Sequence, residues 1–163
     1  MICTGAIHAQ STDLAPELEV FKPYLGTWQA DFDVADNKPK VQDVGRWERA
    51  LNGKAIRTAH SINEGEYGGE SMIFWDSKKQ SLVFYYFTTA GFYTQGTMNV
   101  LSPTQFVAYE TVTGSKEGIT KVRSTSDFKD GQFIVSTSYL KKGEWTKPVK
   151  RIYTRSNKQV IFK

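Results

Sequence analysis

The chain has 163 residues, 23% of them charged, with 13 glycines, 10 phenylalanines, 8 tyrosines and 4 tryptophans. That length suits one domain burying roughly two-thirds of its unfolded surface, and the aromatic content with mixed-sign charge excludes a disordered chain. Net charge is +4, unevenly spread: residues 1–115 carry 9 basic and 13 acidic side chains, residues 116–163 carry 12 and 4. The late basic residues Lys141, Lys142, Lys147, Lys150, Arg151 and Arg155 read first as solvated outer faces and edge-protecting lysines. Contact with an anionic ligand, lipopolysaccharide or nucleic acid is their alternative use, and of these a nucleic-acid partner is not the expectation.

The opening stretch, Met1-Ile2-Cys3-Thr4-Gly5-Ala6-Ile7-His8-Ala9, has a short apolar run and a small residue before a polar segment, which suits the end of a signal peptide. Residues 1–9 are therefore expected to be a signal-peptide remnant and 10–163 a single domain, periplasmic or secreted. Cleavage after Ala9 leaves no cysteine and only His60, so thiol nucleophiles, cysteine zinc sites and three-histidine metal sites fall by ligand count. No metal or cofactor is expected. No segment approaches the roughly 18 apolar residues of a membrane span.

Ser11-Thr12-Asp13 can cap a short helix carrying Leu14, Leu18 and Phe21 at helical spacing, ended by Pro23. An alternating strand follows with Trp28, Ala30, Phe32 and Val34 on one face. A second strand is predicted over 44–51, the hairpin signal Asn52-Gly53 comes next, and a third strand runs over 54–63. The aromatic run from Gly69 to Met98 reads as three consecutive strands. Further strands are predicted over 105–113, 119–128, 133–140 and 145–154, with Asp130-Gly131 as another hairpin. About ten strands with short connections predict an all-β, antiparallel up-and-down β-barrel, its short N-terminal helix closing one end.

Gly26-Thr27-Trp28 after a short helix resembles the calycin group, whose lipocalins carry Gly-x-Trp on the first strand. The resemblance implies an arginine from a late strand packed across Trp28, with Arg151 and Arg155 as candidates. The longer pattern of Leu51-Asn52-Gly53-Lys54-Ala55-Ile56, Ile73-Phe74-Trp75-Asp76 and Phe92-Tyr93-Thr94-Gln95-Gly96-Thr97 is similar to uncharacterised bacterial secreted proteins with lipocalin-like barrels. It implies a fold for residues 20–155, without an activity. Strand number and the missing cysteine pair depart from true lipocalins, and the lack of a late-strand histidine argues against haem.

Alternation places Ile56, Thr58, His60 and Ile62 on one face, the more apolar one, so His60 is expected inside the barrel. There it is either a hydrogen-bonded core histidine or a base. Glu110 shares a face with Phe106, Ala108 and Val112 and would need a partner, with Arg123 as the candidate. Leu82, Phe84 and Tyr86 oppose Val83, Tyr85 and Phe87, so one aromatic face is core or cavity wall and the other exposed or covered by a second subunit, which makes a homodimer possible.

The leading expectation is a binding protein for a small apolar or amphipathic molecule, lined by Trp28, Phe32, Thr58, His60, Met72, Phe74, Phe84, Tyr86 and Tyr139. The rivals are a small-molecule cyclase, isomerase or hydrolase with His60, Glu110 and Tyr86 as candidate catalytic groups, and an envelope interaction protein.

Overall fold

A computed structural model describes residues 13–32, 40–115 and 117–163. The expected signal-peptide remnant, the capping residues Ser11 and Thr12, and Val34 lie outside these residues. The strands are β1 (Gly26–Phe32), β2 (Val41–Ala50), β3 (Ala55–Ile62), β4 (Tyr67–Asp76), β5 (Ser81–Thr88), β6 (Tyr93–Ser102), β7 (Gln105–Thr111), β8 (Ile119–Lys129), β9 (Gln132–Lys141), β10 (Glu144–Trp145) and β11 (Val149–Arg155). Each of β1 to β9 pairs antiparallel with its successor, except that the ring closes from β9 through β11 to β1. The result is a closed up-and-down barrel of ten strands, with the two-residue β10 as a flap on β9. Closure leaves no long edge exposed.

The strand read over 145–154 is two. Pro148 has no N–H to donate to a ladder, and it falls in the gap between β10 and β11, so the pairing with β9 breaks there and resumes from Val149 on the same edge of β9. The two hairpin signals behave as their residue types require. Leu51, Asn52 and Gly53 all have positive φ in the β2–β3 turn, and Asp130-Gly131 turns with φ of 52° and 75°. A Cβ on Gly53 would meet the Asp13 carbonyl at 2.2 Å, so only glycine fits there.

The N-terminal helix is a 3-10 helix over Pro16–Tyr24, with Ala15 at its N-cap position. Pro16 opens it after an uncapped Ala15, and Pro23 lies inside it rather than ending it. Its apolar stripe does what the spacing required: Leu18, Phe21 and Tyr24 are fully buried and plug one end of the barrel. Phe21 and Tyr24 meet Phe106 edge-on at 5.0 and 5.2 Å, and the Tyr24 hydroxyl donates to the Thr104 carbonyl at 2.7 Å. Burial, most of all, pushes the Tyr24 phenol well above its ordinary range.

Trp28 stands over this plug. Its indole N–H donates to the Tyr24 carbonyl at 2.6 Å, and Phe133 meets its ring edge-on at 4.9 Å. Arg155, rather than Arg151, covers the other side, its guanidinium carbon 3.8 Å from the ring centroid, while Nη1 and Nη2 donate to the Leu25 and Pro23 carbonyls. That late-strand arginine locks the seam where β11 meets β1 through only two residue pairs. Arg151 instead lies over Phe32 at 4.0 Å.

Outside the barrel, Arg57 is held between Glu48 and Glu70, and the tail 156–163 is laid across β1 to β4. The Ile161 N–H donates to Ser61 Oγ, and Lys158 Nζ donates to Gln42 Oε1 at 2.6 Å. Among the described residues no helix is long and apolar enough to cross a membrane.

Candidate functional site

The plug fills only one end. Beyond Trp47 and Phe133, which pack against it and form a floor, lies a cavity of about 480 Å³. Its wall is part apolar (Phe92, Val112, Ile119, Val122, Val135) and part polar (Thr58, Thr94, Ser124, Thr137, Tyr139). A space of this size suits a small molecule rather than a lone water.

The polar groups converge on Asp43. The pleat of β2 points Asp43, Gly45 and Trp47 inward, opposite Ile62, His60 and Thr58 of β3. Asp43 is 4% exposed; its Oδ2 accepts from the Tyr153 hydroxyl at 2.7 Å and its Oδ1 faces His60 Nδ1 at 3.1 Å. An ionised carboxylate only accepts, so Nδ1 carries the proton and His60 Nε2 faces the Tyr86 hydroxyl at 2.7 Å. Tyr86 in turn lies 3.0 Å from the Tyr67 hydroxyl. The Tyr86 hydroxyl donates its proton to the Tyr67 hydroxyl. Asp43, His60, Tyr86 and Tyr67 thus form one continuous hydrogen-bonded network.

Burial, followed by its bond to Tyr67, raises the Tyr86 phenol far above its ordinary range, so Tyr86 acts as a hydroxyl and not as a phenolate. Burial, followed by the neighbouring Asp43 charge, does the same to Tyr153.

Glycines make the room. Gly45 and Gly69 flank His60 on the neighbouring strands, and the Tyr86 ring occupies the space where a Cβ on Gly69 would sit, 2.5 Å from its nearest ring carbon. Gly69→Ala is expected to cost about 1–3 kcal/mol by overpacking and to push Tyr86 off His60, seen as a changed His60 imidazole resonance in NMR. An unshifted imidazole signal would refute that account.

Glu110 also faces in, flanked on the neighbouring strands by Gly96 and Val122. It does not pair with Arg123. Arg123 stands opposite Tyr109, on the outer face, with its guanidinium 4.9 Å from the Trp145 ring centroid. Burial raises the Glu110 carboxyl above the ordinary glutamate value of 4.5, with hydrogen bonding to the Thr94 hydroxyl acting in the other direction. Thr94 Oγ1 is buried and makes no hydrogen bond of proper geometry, the one such side-chain atom among the described residues. Because the native state holds the Glu110 proton more tightly than the unfolded chain does, this group's stability contribution is complete below pH 4.5 and is lost as pH rises through its native pKa. Glu110→Gln is therefore expected to be as stable as the parent in acid and more stable at neutral pH. Urea unfolding at two pH values checks this.

Of the residues singled out in the sequence, Thr58, His60, Glu110, Tyr86 and Tyr139 line the cavity. Trp28 and Phe84 point inward but are consumed by the core, and Phe32 lies under Arg151. Met72 and Phe74 point outward, because they alternate with Ile73 of the core; Phe74 stacks flat on Tyr85 at 6.5 Å. Asp43, Tyr67, Tyr153, Arg151 and the two glycines were not legible as site residues. A period-two reading that began the second strand at Val41 would have aligned Asp43 with Trp47. Among the described residues no group of three histidine, cysteine or acidic side chains converges to hold a metal ion.

A closed antiparallel barrel with a plugged end and a polar-walled hollow is consistent with the calycin type of fold. No protein-family model matches this chain, and no curated protein matches it in sequence.

Proposed function

We propose that this protein binds a small amphipathic molecule inside the barrel. The observation that carries the reading is the hollow itself: aromatic and branched side chains surround it, interleaved with fixed polar groups. The apolar body of the ligand would lie on Trp47, Phe133 and Val135. Its polar end would reach the hydroxyls and carboxyl of the opposite wall. The preset bonds of Asp43 to Tyr153 and His60 support this, because a pre-organised polar wall lowers the cost of binding. Native mass spectrometry of the protein purified from its host is expected to show a bound species of small-molecule mass, lost when Thr58 and Val135 are both replaced by tryptophan to fill the space. A parent spectrum of bare protein, with no small molecule retained, would count against the reading.

One observation favours a second reading, in which the same hollow carries out acid–base chemistry on its ligand. A buried carboxylate orienting a histidine whose other nitrogen faces a hydroxyl is the arrangement a general base uses. Here Tyr86 already occupies Nε2, so a substrate would exchange its proton through Tyr86 or displace it. If the protein turns its ligand over, His60→Ala is expected to lower kcat about 100-fold or more while leaving ligand affinity within a few-fold. Equal turnover in that variant would remove His60 from the chemistry.

A further inference from the structure

The cavity lining holds four charged or titratable groups besides its tyrosines: Asp43, His60, Glu110 and Arg151. Three are already engaged with one another or with a ring. Asp43 takes bonds from Tyr153 and His60, and Arg151 sits over Phe32 beside Tyr153. Glu110 differs. On its own strand its inward neighbours are Ala108 and Val112; across β6 it meets Gly96 and Thr94, and across β8 Val122, with Tyr139 of β9 beyond. Among the described residues no cation forms an ion pair with it, and its polar neighbour is the buried Thr94 hydroxyl, which is too poorly aligned for a good hydrogen bond to it.

A buried carboxyl is retained in native proteins when something pairs with it, and an orphaned buried hydroxyl costs free energy until something bonds to it. The half-buried carboxyl without a counter-charge and the poorly bonded hydroxyl lie on one patch of one cavity wall, and both oxygens can accept. What would satisfy them together is a compact group with several donors and a positive charge. An anionic ligand would instead add negative charge to a wall whose only guanidinium is committed. A hydroxyl would bond to Thr94 but would leave the carboxyl without a counter-charge.

We propose that the ligand is a small amphipathic amine, whose ammonium group is bound by the Glu110 carboxylate and the Thr94 hydroxyl while its apolar or aromatic body lies on the cavity floor. An ammonium offers three donors and suits a site of two acceptors in a cavity that Tyr86 and Tyr139 also line. This assignment rests on the cavity-binding reading above and names the chemistry of its ligand.

Phenethylamine, phenethyl alcohol and phenylacetate share a body and differ in the polar end, so they separate the two claims. Each is titrated into the intact protein, followed by tryptophan fluorescence, since Trp47 forms part of the cavity wall. The amine is expected to bind about tenfold or more tightly than the alcohol, with phenylacetate weaker still. In Glu110→Gln the amine should lose that advantage while the alcohol is unaffected. Amine affinity should rise with pH as Glu110 ionises, with Asp43, His60 and Arg151 in place, and this pH dependence should be absent from the variant. Equal binding of amine and alcohol, or an amine preference that survives in Glu110→Gln, overturns the assignment and leaves the cavity-binding reading standing. Binding of none of the three also overturns it; the native mass spectrum then decides the broader reading independently.

Discussion

Replacing Trp28 with alanine is expected to cost about 3–5 kcal/mol of folding stability, the range for truncating a large buried aromatic. Trp28 is fully buried, and its loss would remove three things at once. It would open a hole beside Phe133 and Phe128, leave the Tyr24 carbonyl without its indole donor, and strip Arg155 of the ring it covers. These contacts join the helical plug, the first strand and the last strand, so the seam of the barrel should loosen with the core. Trp28→Phe keeps the ring under Arg155 but not the indole N–H, and should recover about half or more of the loss. Urea unfolding of the three proteins gives the comparison. A loss under about 1 kcal/mol for the alanine variant would mean that the plug and seam are held by other contacts.

The second large effect is expected at Asp43. In Asp43→Asn the side chain keeps its size but turns one acceptor oxygen into a donor, and that donor must face either the Tyr153 hydroxyl or His60 Nδ1–H. Either the Tyr153 hydroxyl loses its acceptor or His60 must take the other tautomer so that Nδ1 accepts, where Asp43 and Tyr153 are only 4% and 8% exposed. The expected cost is about 1–3 kcal/mol, from the lost charge-assisted bonds and the rearrangement of the site. The cavity should change with it. His60 loses the group that fixes its tautomer, so its ring protons should shift and broaden in NMR, and the bond from Nε2 to Tyr86 should weaken. Asp43→Asn with an unchanged histidine spectrum would show that Tyr86 alone orients the ring.

These two sites differ in how far the residues alone announced them. Trp28 was legible from its surroundings in the chain: a Gly-x-Trp opening an alternating strand after a short apolar-striped helix places it in the core whatever else the fold does. Strand count and short turns made the closed barrel legible too, because hairpin chemistry at Asn52-Gly53 and Asp130-Gly131 is local. His60, Tyr86, Thr58 and Glu110 could be placed inside by period-two alternation from neighbours that were plainly apolar. Where a strand is apolar on both faces, as around Met72 to Trp75, alternation has no sign. Met72 and Phe74 could then be assigned to the interior although the pleat sends them out.

What the sequence by itself determined is the class of structure and the face on which most side chains lie, since both depend on near neighbours and turn residues. What only the tertiary structure decided is which inward groups meet. Asp43, His60, Tyr86 and Tyr153 come from four strands, and Asp43 and Tyr153 are 110 residues apart. Their meeting depends on the register of every intervening hairpin and on the closure of β9 through β11 onto β1. The β7–β8 register likewise sets Glu110 opposite Val122 and Arg123 opposite Tyr109, because neighbouring positions on adjacent strands touch only when they share a face. Local propensity carries no information about that sum of registers, and a cavity is the space left over once it is complete.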